Sequence, residues 1–569
     1  MRTLAQQNEY TIMKTQNNLR KFIFLVLITL VGSSFIASSK NEKAAITRNL
    51  DIFNSVYKEL QVFYVDSIDA EKSINTAINA MLNDIDPYTE YIPAKDQDAF
   101  KTMTTGEYGG IGSYIMERNG KVYISEPYEG SPAQKSGLKA GDMIVKIDND
   151  TTLGWKSSKV SERLKGQAGT PLTVVVKRPY VEDSIVTINI MREKIQVPSV
   201  PYYAVVKDNI GYIYLTSFTD KSAKEVRNAL VELKKDPRVK SIILDLRSNG
   251  GGLLESAVKI VGLFVPKNTE VLRTKGKGHL NEKVYKTTSA PIDTEIPLAV
   301  FIDGGSASSS EIVAGALQDL DRAVIIGSRS FGKGLVQSTR QLPYDGLLKV
   351  TIAKYYIPSG RLIQAIDYSH RNPDGSVARI PDSLTSVFKT VHGREVRDGG
   401  GITPDIKITY PAANRLTYNI VRDNWAFDYA TRFAATTPTI ASAHDFVITD
   451  SIFNDFKEFI DPDKFQYDKV CETMLSDLKE TAKIEGYAND SINAQFEILE
   501  KMLKHNLNRD LDNNRKEISE LLANEIIKRY YYQKGQIIES LKNDIALDSA
   551  AVILNDLNAY RKILSPIEK

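Results

Sequence analysis

Between Asp303 and Glu311 the chain reads DGGSASSSE, where an apolar run (PLAVFID, 297–303) gives way to a helical pattern from about Ser308 to Leu320. A serine at a strand-to-helix turn is presented to solvent, and the helix N-terminus beside it offers free N–H groups and positive potential. Serine is also a favoured N-cap, so the run alone reads equally as a cap and a loop. A short way downstream, Ser330-Phe331-Gly332-Lys333-Gly334 leads into Leu335, Val336 and Gln337. Lys333 and Gln337 are spaced to share a face on either a strand or a helix. A free lysine titrates near about 10.4, and lowering it to about 7–8 takes about 4 kcal/mol of desolvation. The glycines flanking Lys333, with Leu335 and Val336 after it, suit an apolar cleft. The chemistry open to this set is acyl transfer, the lysine taking the proton of a serine hydroxyl as it attacks a carbonyl.

Competing chemistries are thinly supplied. Gly327 to Lys333 reads G-x-x-x-x-G-K after an apolar strand, the opening of a phosphate loop, but Gly334 stands where the metal-binding Ser/Thr should be. The LVQSTRQL that follows reads as a strand, where that motif needs a helix, and this argues against nucleotide binding. Five histidines, none in a triad-like motif, disfavour a histidine base or metal site. The lone cysteine, Cys471, excludes an internal disulfide and a zinc cluster, and its helical pattern predicts core filling. The 73 basic side chains are nearly balanced by 71 acidic ones, which argues against nucleic acid as a partner. No organic or metal cofactor is expected.

The elements that must position these residues follow from periodicity. FIFLVLITLVGSSFI (22–36), preceded by Arg20-Lys21 and followed by small residues, predicts an export signal, with a retained membrane anchor left open. Residues from about Ala44 to Met103 read as helical, broken at Asp86-Pro87. From Gly106 to about Lys194, short β segments at 122–125, 143–148, 172–177 and 184–190 are separated by turn residues. Strands at 211–218, 241–247, 297–303 and 323–327 then alternate with helices from about Ser222, Leu253 and Ser308, predicting an α/β core. After Pro411 the pattern is amphipathic helix, suited to packing on the core or on a partner.

Tyr108-Gly109-Gly110-Ile111-Gly112 opens the β region, and such glycines let successive N–H groups converge on a carboxylate. A plain tight turn is the alternative. With Ser131-Pro132-Ala133 and the GLKAGD bend at 137–142, this stretch resembles a PDZ domain, which binds peptide C-termini by adding them to a sheet edge.

Ser306-Ala307-Ser308 with Glu311, and Phe331-Gly332-Lys333-Gly334 with Gln337, resemble the C-terminal processing (tail-specific) peptidases, exported Ser/Lys-dyad proteases with an inserted PDZ domain. Leu244-Asp245-Leu246-Arg247 with Gly251-Gly252, Tyr356-Ile357-Pro358-Ser359-Gly360-Arg361, and Asp398-Gly399-Gly400-Gly401-Ile402-Thr403-Pro404-Asp405 extend the match. The resemblance implies a crotonase/ClpP-like α/β protease core with a mostly-β PDZ insertion and helical N- and C-terminal segments. The corresponding divisions are 1–40 (signal or anchor), 41–103 (helical entry), 104–194 (PDZ), 195–410 (protease core) and 411–569 (helical extension). It implies Ser308 as nucleophile, Lys333 as base and Gln337 as the residue orienting it. Ser309 stands where alanine is usual, Gly250 where proline often is, and Lys165-Gly166 where relatives often carry Arg-Gly. Backbone amides of Ser309 and of Gly251 or Gly252 are expected to hold the oxyanion. Glu311 and Asp319 are expected to be structural, with Arg322 as an ion-pair partner. The expected activity is a periplasmic endopeptidase acting on exposed C-terminal tails. The alternative is a non-catalytic envelope scaffold whose PDZ domain binds such tails. Membrane attachment and homo-oligomerisation are left open.

Overall fold

The computed structural model describes residues 44–566 except 183, 280–281, 372–376 and 413. The expected export segment lies outside these residues, as do the side chains of His279 and His370. Of the described residues, those from 44 to 84 belong to one unit and those from Ile85 to a second. In the first, the helix 44–63 meets the helix Ala70–Ile85 through a Tyr57–Ser73 hydroxyl contact of 3.2 Å.

At the start of the second unit, Asp86 Oδ1 accepts the amides of Tyr88 and Thr89, both at 2.7 Å. This Asx turn converts the chain to a short strand, Glu90–Ile92, paired with the long strand Leu347–Tyr356. The predicted helical entry is thus interrupted, because a buried carboxylate holds the turn open. The helix Gln97–Thr105 then ends on Gly106 at φ 69°.

The β region folds around its own core of Val122, Ile124, Ile144, Ile147, Val160, Leu172, Val174 and Val176. The strand Ser113–Arg118 forms one edge of its sheet, so its outer backbone groups are unpaired within that sheet. The helix Ser157–Leu164 packs beside that edge.

The α/β core is a six-stranded sheet in the order Tyr202–Val206, Ile210–Tyr214, Ser241–Asp245, Leu298–Ile302, Val324–Gly327, Ile406–Lys407. All neighbours are parallel except the first pair. Ile242, Leu244, Val300 and Ile302 face one way, into a core shared with the helices Ser222–Leu233, Leu254–Val261 and Ser309–Asp319. The alternate residues Ile243, Ala299, Phe301, Val324 and Ile326 face the other way.

That second face is covered by the C-terminal extension. Ile537, Leu541, Ala546, Leu547, Ala550, Leu554 and Tyr560 seal it. The extension also has an inner core of its own around Tyr429, Phe453, Phe456, Leu522 and Ile526. Its long helix, Arg515–Leu541, carries Tyr532 at φ 52° and touches the PDZ domain there: Gln134 donates to the Tyr532 hydroxyl at 2.6 Å, and Lys528 lies 3.6 Å from the buried Glu126. Cys471 departs from expectation. It is exposed in a two-helix hairpin whose small core, Leu475, Ala482 and Phe496, is filled without it.

Candidate active site

The strand Leu298–Ile302 is fully buried, and its end is turned by Asp303, whose Oδ1 accepts the amides of Ser248 (2.8 Å) and Gly305 (2.9 Å). Most hydroxyls of the serine run serve this joint. Ser306 donates to the Leu246 carbonyl (2.8 Å), Ser309 to that of Gly252 (3.0 Å) and Ser310 to that of Asn249 (2.7 Å). Ser308 alone of the four is partly exposed, at φ 55° and ψ −111° as the N-cap of the helix Ser309–Asp319. Such a conformation in a non-glycine residue costs about 1–3 kcal/mol and persists only where its surroundings enforce it.

Glu311 is a large part of that enforcement. It is fully buried, and its Oε2 accepts the amides of both Ser308 (2.8 Å) and Lys333 (2.9 Å). Its Oε1 accepts Ser330 Oγ (2.5 Å) and the Gly332 amide (2.6 Å). One oxygen atom therefore joins the backbones of the candidate nucleophile and base. Burial pushes the Glu311 carboxyl up, while these four donors favour its ionised form. On the acceptor side, the buried Tyr355 hydroxyl lies 2.6 Å from the Lys333 carbonyl and 3.3 Å from that of Ser308. Neither clamp is visible as such in the sequence: Glu311 reads there only as structural, and Tyr355 carries no signal beyond its place in an aromatic strand.

The segment bearing Lys333 lies hard against residues 364–365. A Cβ at Gly332 would stand 2.3 Å from that of Ala365, and one at Gly334 2.7 Å from that of Gln364. The Lys333 ammonium sits over the Tyr88 ring, 4.3 Å from its centroid. Its pKa is pushed down to about 8, chiefly by burial and then by the charge of Lys349, while Asp86, Glu311 and Glu90 pull the other way. A folded-state pKa below the unfolded value near 10.5 means the unfolded chain binds more protons between about pH 8 and 10.5, so stability rises with pH across that window. Below pH 8 the whole cost is present. Lys333→Met is accordingly expected to stabilise the fold at pH 7 by up to about 3 kcal/mol, the gain shrinking towards pH 10, as read by urea denaturation at both pH values.

Gln337 is placed differently from the simple spacing argument. The ladder with Leu347–Tyr356 shifts register between Val336 and Gln337 because the partner strand carries one extra residue, Ile352, and Gln337 is thereby set opposite Thr351. The Gln337 amide donates to Thr351 Oγ1 (3.1 Å), and the Thr351 amide donates to Thr89 Oγ1 (3.2 Å). Thr89 in turn bonds Asp86 Oδ2 (3.0 Å). No hydrogen bond in this structure joins Gln337 to Lys333.

Of the expected oxyanion amides, that of Gly251 donates to Asn249 Oδ1 (2.9 Å). Those of Ser309 and Gly252 have no backbone or side-chain acceptor among the described residues. Gly251, at φ 100°, backs directly onto the Ser308 turn: a Cβ there would lie 2.9 Å from Ser308 Cβ. After Lys333 the chain enters the strand Leu335–Gln341, so no helix N-terminus follows the G-x-x-x-x-G-K run.

At the far end of the helix Ser309–Asp319, Asp319 pairs with Arg361 at 2.8 Å, both buried, and not with Arg322. Arg322 donates to the carbonyls of Phe264 and Ile296 instead, both at 2.9 Å. Sequence proximity suggested that pairing, but the helix end directs Asp319 to the 356–361 turn, where Ser359 N also donates to it at 2.9 Å. His392 is exposed beside Asp321, away from Ser308 and Lys333 in the chain and in its contacts.

The Tyr108–Gly112 segment is only partly a loop. Glu107–Gly110 pairs as a strand with Glu193–Gln196, and a Cβ at Gly109 would fall 2.1 Å from the Gly166 carbonyl. Tyr108, Gly109 and Gly110 therefore build the base of the loop. Buried Ile111 and Gly112 (φ 74°) lead into the free edge strand Ser113–Arg118.

Comparisons with known proteins agree with this architecture. Residues 209–377 match peptidase family S41, residues 123–178 a PDZ domain, and residues 416–554 the probable PDZ-protease C-terminal helical domain. The carboxy-terminal-processing protease of Bartonella bacilliformis is 37% identical over 387 residues, covering 67% of this chain and 88% of that protein. The probable CtpA-like serine protease of Staphylococcus haemolyticus is 32% identical over 429 residues, 74% of this chain and 84% of that one. A solved photosystem II D1 C-terminal processing protease is 26% identical, with a TM-score of 0.35, covering 63% of this chain and 86% of that one. The match to peptidase family S41 and the two protease relatives set aside the non-catalytic scaffold. The chain belongs to the carboxy-terminal-processing proteases of peptidase family S41, and is a serine protease with a PDZ domain.

Proposed function

We propose that the chain is an exported endopeptidase that cleaves proteins bearing exposed, unstructured C-terminal tails, with Ser308 as nucleophile and Lys333 as general base. The observation that carries this reading is the single Glu311 oxygen shared by the Ser308 and Lys333 amides, beside an ammonium whose pKa is near 8. In the first step Ser308 Oγ attacks the scissile carbonyl carbon, and its proton passes to the neutral Lys333 amine. Collapse of the tetrahedral intermediate breaks the C–N bond, and the ammonium returns the proton to the leaving amine. Water, deprotonated by the same amine, then releases the acyl group and restores both residues. The Ser309 amide, with that of Gly252 or a re-oriented Gly251, holds the oxyanion. Gln337, anchored at Thr351, orients the amine through its side-chain oxygen.

The tail is recognised at Ile111–Gly112 and extends along the edge strand Ser113–Arg118. The basic and apolar pattern at 20–36 supports delivery to the periplasm or anchoring in the inner membrane. Self-association is compatible with this reading.

The test is the pH profile of cleavage of an unfolded peptide with a free C-terminal carboxylate. Because the neutral amine is the active form, kcat/KM should rise about tenfold per pH unit below about 8 and level off above it. A flat profile from pH 5 to 9 would exclude a titrating lysine base. Equal cleavage of the C-terminally amidated peptide would exclude tail recognition.

A further inference from the structure

The loop bearing the expected oxyanion amides begins immediately after Arg247, and that arginine is held by more than its own strand. Its guanidinium donates to both carboxylate oxygens of Asp245, at 2.5–3.0 Å, and stacks over the Phe301 ring, 4.9 Å from the centroid. Arg247 thereby spans the ends of the two strands that feed the oxyanion loop and the nucleophile turn. Its Nη2 also donates to Asp544 Oδ2 at 2.6 Å, and Asp544 belongs to the helical extension. A longer contact, 3.4 Å, reaches the Tyr410 hydroxyl.

Asp544 divides its carboxylate between two tasks. Oδ1 caps the helix Ile545–Asn555 through the amides of Ala546 (2.9 Å) and Leu547 (3.3 Å). Capping needs only that oxygen. The other goes to Arg247, in a site where the Asp544 side chain is 6% exposed and that of Asp245 1%. Burial works against the Arg247 charge, and the two carboxylates outweigh it. The helix that Asp544 caps is fixed against the sheet by Ala546, Leu547, Ala550 and Leu554, so the carboxylate approaches from a rigid base.

We infer that Asp544 is a positioning residue for catalysis: it fixes Arg247, and through Arg247 the backbone of residues 248–252, so that the helical extension completes the active site. Three links lead from Arg247 to the nucleophile. Ser248, at φ 57°, donates its amide to Asp303 at the start of the serine run (2.8 Å). The Asn249 carbonyl accepts the Ala307 amide (3.0 Å) and Ser310 Oγ (2.7 Å). Gly252 accepts Ser309 Oγ (3.0 Å). A loop so placed, with one end released, would misaim donors whose value depends on being pre-set. The inference rests on the proposed Ser308 chemistry.

The experiment compares the wild type with Asp544→Asn, Asp544→Ala, Ser308→Ala and, as a control on the same helix, Asp548→Asn, which removes an exposed ion pair with Lys207. Steady-state kinetics on an unfolded peptide, inhibition by a peptide aldehyde, PDZ binding of a non-cleavable tail peptide and thermal melting are measured for each. Loss of one oxyanion donor typically lowers kcat by about 10²–10³-fold, so a displaced loop should lower it by about 10–100-fold in Asp544→Asn. KM and tail-peptide affinity should stay within about twofold, since neither depends on the oxyanion. Aldehyde affinity should fall in parallel with kcat, which a purely structural role would not produce in protein that remains folded at the assay temperature. Asp548→Asn should match the wild type. Should Asp544→Ala melt below the assay temperature, Asp544→Asn, which keeps an acceptor for the helix cap, decides. Wild-type kcat and aldehyde affinity in Asp544→Asn would overturn the inference, as would a loss confined to KM or tail binding. Cleavage that survives in Ser308→Ala would instead sink the proposed chemistry itself.

Discussion

Ser308→Ala should reduce cleavage of an unfolded protein by about 10⁴–10⁶-fold while leaving tail-peptide binding and the melting transition close to wild type. The other serines of the run cannot take over. Ser306, Ser309 and Ser310 are buried, with hydroxyls committed to the carbonyls of Leu246, Gly252 and Asn249. Relief of the φ 55° strain is small, because alanine carries the same Cβ and is disfavoured there too. Lys333→Ala should fall nearly as far, since nucleophile and base act as a unit and losing either costs about as much as losing both. Lys333→Arg should not rescue it, because a guanidinium stays protonated at any workable pH. Gel-based cleavage with each purified variant checks this. Undiminished activity in Ser308→Ala or Lys333→Ala would remove that residue from the mechanism.

Outside the Ser308 and Lys333 pair, Glu311→Gln should be the most damaging change. The carboxylate accepts four donors and gives none. An amide leaves one position as NH₂, which would face either the Ser308 and Lys333 amides or Ser330 Oγ and the Gly332 amide. In the first case both backbone amides lose their acceptor; in the second Ser330 Oγ can turn to accept, but the Gly332 amide is left facing an N–H, so either way a donor goes unpaired in a fully buried site, at about 1–3 kcal/mol for each. We expect kcat to fall by about 10²–10³-fold as the two backbones separate, with stability lowered by about 2–4 kcal/mol. Glu311→Asp should recover part of the stability but little of the rate, since a side chain one methylene shorter cannot reach all four donors. Kinetics and urea unfolding on the same preparations test both halves. Full stability together with full activity in Glu311→Gln would show that the shared oxygen holds nothing that matters.

Much of the fold was legible because periodicity is a local property. The runs at 241–247, 297–303 and 323–327 announced parallel strands, and the six-stranded sheet contains them within two residues at each end. The free-edge strand Ser113–Arg118 was not read, since SYIMER mixes polar and apolar residues at an edge that is only half buried. The strand Glu90–Ile92 hid inside a helical pattern because its partner, Leu347–Tyr356, is remote in sequence. The helical extension looked like an accessory for a similar reason. Its apolar stripes show that something must be covered, and only the packing shows that one covered surface is the second face of the catalytic sheet.

By itself, the sequence determined which residue types are available for chemistry: a serine at a strand-to-helix turn, a lysine between glycines, and almost no histidine or cysteine. It also set the alternation that makes an α/β core and a small β domain. Tertiary structure decided how those residues are placed and in what electrostatic surroundings. Burial and the neighbouring Lys349, not any adjacent residue type, lower the Lys333 pKa. A carboxylate on the helix Ser309–Asp319 and a hydroxyl from a distant strand bring Ser308 and Lys333 together. A register shift sends Gln337 to Thr351, and an aspartate almost three hundred residues from Arg247 in the chain closes on it. Periodicity and motif spacing are written along the chain, whereas desolvation and the aim of a hydrogen bond depend on which remote segments fill the same space.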